Sequence, residues 1–284
     1  MAKKAQTEVA VVAEDPTAGV PAVMDFGADS GLGYENQTQA DISVPFLNVL
    51  QDLSPTVKTR EHEAGMLYNT VTEEAFDGKV GITIIPVCTE HNFVEYVPRD
   101  AGGGFVAVHE VESKVVEQAK AKSTKFGKYA TENGNQLVET FNVYAIDAET
   151  GAYLIIPFSS TKIKQYKSWN TRVNMFNHRA FGIPGKPPLF AHVVRLTTEE
   201  ENRAKGDSFN FRLTPVNPER VVGEKKYPAI LTSMIGPQDP RYVEAKSFLE
   251  MVKEGKAKAA HETTSHVVSE SEGSASTDSA KCPF

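Results

Sequence analysis

Cysteine is scarce in this chain: two in 284 residues, Cys88 and Cys282. That excludes a disulfide framework and makes a reducing cytoplasm the expected setting. No run approaches the ~18 apolar residues of a membrane helix, so no membrane partner is expected. The start carries Lys3 and Lys4, but Glu8, Glu14 and Asp15 interrupt its apolar residues, a poor match to a signal peptide. A phosphate-cradling glycine loop is also missing, because Gly102-Gly103-Gly104 lacks both the spacing and the following helix. Glu61-His62-Glu63 and Cys88-Thr89-Glu90-His91 contain metal-ligating residue types, but no pair has a zinc spacing, and both read as polar loop or surface. Asp147, Glu149 and Lys162 could be assembled into a nuclease-like carboxylate set, yet a hairpin turn is the simpler account of the first two. The expectation is a protein without cofactor, metal or catalytic group.

The most informative absence is local. Residues 151–198 contain no Asp or Glu, although 37 acids in the whole chain would place about six in such a window. The window holds Lys162, Lys164, Lys167, Arg172, Arg179, Lys186 and Arg195, interleaved with Tyr153, Phe158, Tyr166, Trp169, Phe176, Phe181 and Phe190. Trp169 is the one tryptophan of the chain. Bases among aromatics suit a polyanion whose units have flat faces, which describes single-stranded nucleic acid.

The net charge of −7 does not oppose this, because it is unevenly spread. Residues 1–43 carry −5, residues 256–284 carry −1 and the body between them carries −1. Three regions follow: a disordered acidic N-terminal segment at 1–43, a nucleic-acid-binding body at 44–255 and a flexible C-terminal tail at 256–284. Within the body, Met66 to Val71, Val80 to Val87, Phe93 to Val97, Phe105 to Val111, Leu137 to Ile146, Ala152 to Phe158, Ala191 to Thr197 and Ser208 to Val216 read as strands. Pro86 suggests an edge or a bulge. Pro98 to Gly104 reads as a hairpin loop, and Glu199 to Asp207 as a charged connector. Residues 112–130 are lysine-rich and helical at first, and Pro237 to Gly255 is a helix with Asp239 as its cap. The fold class is therefore α+β and β-rich. The expected architecture is an enlarged oligonucleotide/oligosaccharide-binding (OB-like) barrel with inserted helices and two disordered tails.

Inside the acid-free window, Ser160 or Thr161 can cap a helix from about Lys162 to His178. At 100° per residue Tyr166, Trp169, Val173 and Phe176 share one face, with Lys164, Lys167 and Thr171 opposite and Arg172 near the boundary. The aromatic face then points inward and the lysines meet phosphates rather than bases. Stacking falls to strand or loop aromatics, with Tyr153, Phe181 and Phe190 as candidates beside Trp169. The stretch Phe181 to Pro188 reads as a rigid basic loop able to hold a backbone.

The chain ends Asp278-Ser279-Ala280-Lys281-Cys282-Pro283-Phe284. This end resembles that of single-stranded-DNA-binding proteins from bacteria and their phages, which carry a flexible acidic tail closing on Pro-Phe or Phe. The strict match is to Pro283 and Phe284 alone, since acids are sparse, Lys281 breaks the acidic run and Cys282 replaces an aliphatic residue. A terminal phenyl ring with its carboxylate makes a compact anchor for a basic-rimmed pocket on a partner. From Val44 to about Pro215 the chain also resembles tailed-phage proteins that start like Val44-Pro45-Phe46-Leu47-Asn48-Val49-Leu50-Gln51 and carry Phe158-Ser159-Ser160-Thr161. The resemblance implies sequence-tolerant single-stranded DNA binding in phage replication or recombination, in the cytoplasm of a bacterial host. It further implies polymerase, helicase or nuclease recruitment through Pro283 and Phe284. The rival readings are a phage structural or assembly protein and a metal-dependent nuclease or annealing recombinase.

Overall fold

Two long strands form the spine of the molecule. In the computed structural model, the described residues are 43–125, 127–201 and 208–259, with Gly33. Those from 43 onward belong to one compact unit. Of the two expected tails, residues 1–42 apart from Gly33 and residues 260–284, Pro283 and Phe284 included, lie outside the described residues, whereas Ser43 and 256–259 belong to the body: Ala257 is buried and Lys258–Ala259 pair in parallel with Ser43–Val44.

The order begins with β1 (Ser43–Val44), β2 (Leu47–Val49), a short helix α1 (Pro55–Lys58), β3 (Leu67–Asn69) and β4 (Ala75–Phe76). The long β5 (Ile82–Tyr96) then leads through a loop with a 3-10 turn at Arg99–Ala101 to β6 (Phe105–Glu110), α2 (Lys114–Lys122) and β7 (Tyr129–Ala130). The second long strand, β8 (Gln136–Asp147), turns into β9 (Tyr153–Ser159) and then α3 (Ile163–Asn174). After a loop come β10 (Val194–Glu201), β11 (Ser208–Pro215), the small hairpin β12 (Arg220–Val222) and β13 (Lys225–Tyr227), α4 (Ala229–Thr232), α5 (Pro240–Lys253) and β14 (Lys258–Ala259).

β5 and β8 pair antiparallel along their whole shared length, from Ile84↔Asp147 to Tyr96↔Gln136. The register slips between Pro86 and Cys88, so Val87 is the extra residue of a bulge. A proline has no N–H for a ladder, and the bulge is where its absence costs least. The opposite edge of β5 is shared. Its first residues, Ile82 to Ile84, pair with β10, and its last, Asn92 to Tyr96, pair with β6. β11 extends the sheet beyond β10, while β9 and β7 flank β8. The polar stretch Glu90-His91 falls between these two partners, which is why the sequence reads as two strands where the structure has one.

The sheet is covered on both faces, as side-chain alternation requires. Ile82, Ile84, Val143, Ala145, Leu154, Ile156 and Phe158 pack with Tyr166, Trp169 and Val173 of α3. The intervening Ile85, Val87, Tyr144, Ile146 and Ile155 pack on the other face against Phe248 and Ala245 of α5. Beyond the bulge, Phe93, Leu137 and Tyr129 meet Val116 and Ala119 of α2. Alternation places α2 on the same face as α3, since Phe93 lies two residues from His91 and His91 pairs with Phe141.

The fold is thus α+β and β-rich, as expected, but its sheets do not close into a barrel. Closure fails because the two halves of β5 recruit different neighbours and leave β11, β6, β7 and β9 as margins. Glu199 to Glu201, expected in a connector, extend β10 opposite Asn210 to Ser208. No described helix is long and apolar enough to cross a membrane.

α5 starts where Asp239 accepts from the Arg241 N–H at 3.0 Å and Pro240 occupies the first turn. Its anchor Phe248 is fully buried and stacks on Tyr153 at 4.0 Å between ring centroids. Phe248→Ala should destabilise the fold by about 3–5 kcal/mol in urea unfolding. A loss well under 1 kcal/mol would contradict the two-sided core.

Candidate nucleic-acid interface

α3 follows β9 through a tight turn at Ser160, whose φ of 51° is unusual for a non-glycine residue. Its burial pattern divides it as the helical projection requires: Tyr166, Trp169 and Val173 are buried, and Lys164, Lys167, Ser168, Thr171 and Arg172 are exposed. The helix ends at Asn174, with the Met175 N–H bonded to the Thr171 carbonyl, four residues before the expected end. Phe176 therefore leaves the helix. It stacks on Phe181 at 5.6 Å and 15° between planes, and both rings are half-buried.

Phe181 ends a 3-10 turn, His178–Phe181, which Asn177 caps through its side chain at the Ala180 N–H. Gly182 follows with φ of 80°, a left-handed conformation that lets the chain reverse. Lys186 lies on the Asn174 side chain, so the loop is tied to the end of α3. The hairpin β12–β13 completes the group. Tyr227 is half-buried and 6.0 Å from Phe181, and Lys225 Nζ sits 5.5 Å from the Phe181 centroid and 5.3 Å from that of Tyr227. Three partly exposed rings thus gather under Lys225, and the exposed cations Arg172, Arg179 and Lys186 belong to the end of α3 and the loop that carries Phe176 and Phe181. Sequence reasoning missed the hairpin, although Arg220 to Tyr227 carries its signal: β-branched residues before Gly223, whose φ is 62°.

Five of the expected contact residues are not openly presented. Trp169 and Phe190 are only 4% and 6% exposed, held in the core by α3 and α5 packing, and have no free face for a base. Tyr153 lies on the α5 face, stacked on Phe248, on the far side of the sheet from α3. Arg195 is committed internally, donating to the Val80 carbonyl and the Thr83 hydroxyl, each at 2.8 Å, with Glu149 at 3.6 Å. Lys162 is half-buried at the start of α3. Lys164, Lys167, Arg172, Arg179, Lys186 and Phe181 remain on or beside the outer face of α3 and its loop.

The window is acid-free in sequence but not in space. Glu199 and Glu201 reach Gln165 on α3 at 3.2 and 3.4 Å. Glu199 also pairs with Arg212, and Glu219 with Lys226. By contrast, among the described residues Lys164, Lys167, Arg172, Arg179 and Lys225 have no acidic partner, and these carry the local positive field.

Asp147 accepts from the Glu149 and Thr150 N–H groups, the turn expected of it. Cys88 is half-buried, and burial pushes its thiol up to about 12. Among the described residues no three His, Cys, Asp or Glu side chains are grouped to hold a metal. A cleft of about 200 Å³ between α2 and the β7–β8 turn is lined by Glu95, Gln118, Lys122, Thr131 and Glu132. Its buried carboxylate, Glu95, does not suit a polyanion.

Two buried histidines underlie the loop. His178 and His192 have ring centroids 5.9 Å apart, and neither His178 Nε2 nor His192 Nδ1 has a partner within the protein. Desolvation lowers the His178 pKa and carries that of His192 down to about 4, with His178 and Lys186 adding to the latter. Both imidazoles are neutral in the fold and take up protons on unfolding, so stability falls as pH drops from the ordinary 6.5 toward about 4. For His192 alone the loss should reach about 2 kcal/mol between pH 7.5 and pH 5. Urea titrations at the two pH values check this. His192→Gln should remove most of the difference, and a stability that is flat or rises on acidification would refute it. Trp169 should likewise show blue-shifted emission and weak acrylamide quenching, whereas water-exposed emission would contradict its burial.

No curated protein and no solved structure matches this chain. Over residues 11–258, which include both long strands, α3 and the β12–β13 hairpin, it matches the family described as Pam3 phage gp34-like protein. The chain is therefore a phage protein and belongs to the Pam3 phage gp34-like family.

Proposed function

We propose that this protein binds single-stranded DNA without sequence preference during phage replication or recombination, as a binder rather than an enzyme. The carrying observation is the ring group Phe176, Phe181 and Tyr227 under Lys225, in a segment whose exposed Arg172 and Arg179 have no acidic partners among the described residues. Partly exposed rings can stack on any base, and the unpaired cations attract phosphates. The outward lysines of α3, Lys164 and Lys167, extend the electrostatic track without adding base recognition. Neutrality of the body as a whole does not oppose such binding, because the field that a strand meets is local.

Pro283 and Phe284 enter this reading from the sequence alone. A terminal Pro-Phe would hand the bound strand to a polymerase, helicase or nuclease, while leaving the strand site itself untouched.

Anisotropy titration of labelled oligo-dT at two salt concentrations, with duplex as control, tests the reading. Micromolar or tighter binding should weaken with salt, with a slope of ~0.7 per neutralised phosphate. Phe181→Ala should weaken it by about tenfold through lost stacking. Lys164→Glu with Lys167→Glu should weaken binding and flatten the salt slope, with thermal unfolding unchanged. Removal of Pro283 and Phe284 should leave oligonucleotide affinity intact and abolish partner recruitment. Absence of oligonucleotide binding at low salt would overturn the reading.

A further inference from the structure

The sheet face between α3 and α2 carries a continuous strip of ring and cation contacts, separate from the Phe181 group. Lys167 Nζ lies 5.4 Å from the Phe141 centroid. Phe141 stacks on His91 at 4.0 Å and 14°, and on its other side on Tyr166 at 4.8 Å. His91 is 6.1 Å from Phe93, and Lys120 Nζ of α2 closes the strip 4.5 Å over the Phe93 ring. His91 is exposed and Phe141 half-buried, while Phe93 is buried beneath the lysine.

Two features separate this strip from an ordinary solvated helix face. Both lysines lean over the rings, one from each bounding helix, and among the described residues neither has a carboxylate partner. The neighbouring Lys122 instead pairs with Glu132 at 2.7 Å and points toward the β7–β8 turn. The carboxylates of the strip are Glu139, hydrogen-bonded to His91 at 3.0 Å, and Glu117, one turn before Lys120 on α2. Glu95, farther along the same face, is buried and bonded to His109 and Asn135.

We propose that this strip is a second single-strand subsite, in which Lys167 and Lys120 hold successive phosphates and His91 with Phe141 supports the base between them. It rests on the single-strand reading above and extends it: the bound strand runs from the Phe181 group along α3 and across the open sheet to α2. An ammonium over an aromatic face is held in position yet keeps its outward N–H groups for a phosphate. The subsite is absent from short ligands, since a strand must be long enough to leave the Phe181 group.

The test is oligo-dT affinity against length, from ~4 to ~16 nucleotides, for the full chain. Wild type should gain affinity in a step once the oligonucleotide spans both subsites. His91→Ala with Lys120→Gln should lose about tenfold on the longest oligonucleotide, stay within about twofold on the shortest, and so erase the step. Lys120→Arg alone, which keeps the charge over Phe93, should retain the step, and Glu139→Gln should raise affinity for the long ligand alone. Equal losses at every length, or none at the longest, with binding otherwise intact, would overturn the subsite and leave the single-strand reading standing. Failure of the wild type to bind any length would overturn both.

Discussion

The antiparallel pairing of β5 with β8 is the constraint from which the other placements follow. Each strand is long enough to carry two different neighbours along its length, and the bulge at Val87 bends the pair between them. Because side chains alternate, this ladder decides which residues meet α3 and α2 and which meet α5. Phe141, His91 and Phe93 fall on one face, and Tyr144 and Ile146 on the other. A shift of one residue would exchange those sets and place the polar ones in the core.

From that constraint the basic surface takes its form. α3 is held by Trp169, Tyr166 and Val173, so its lysines have one direction left, outward. Burial of the aromatics and exposure of the cations are two consequences of the same packing. The rings available to a ligand come from where the helix has stopped, at Phe176 and Phe181, and from a hairpin over forty residues on, at Tyr227. His178 and His192 pack 5.9 Å apart at this loop, and keeping their buried rings neutral costs stability in acid. In a phage family, such a surface suits a strand-handling protein, and that reading rests on the ring and cation geometry rather than on overall charge.

Much of the fold was legible locally. The β8–β9 hairpin, the two faces of α3 and the Asp239 cap of α5 follow from period, turn residues and capping chemistry, which act over a few positions. What escaped was non-local. β5 reads as two strands because its middle is polar, and only its pairing with β8 shows it to be continuous. Tyr153 and Arg195 share the acid-free window with Lys164, yet strand alternation sends one to the other face and the Thr83 hydroxyl claims the other. Glu199 and Glu201 lie just outside that window in sequence and return to it in space through β10. Charge counted along a chain is therefore a weaker guide than charge counted across a surface.

The most direct measurement is photo-crosslinking of the full chain to a halogenated oligo-dU, with the linked peptides mapped by mass spectrometry. The account predicts adducts on Phe181 and Tyr227, and in the longer oligonucleotides on the peptide carrying His91. Crosslinks confined to the α5 face, around Tyr153 and Tyr242, would contradict it.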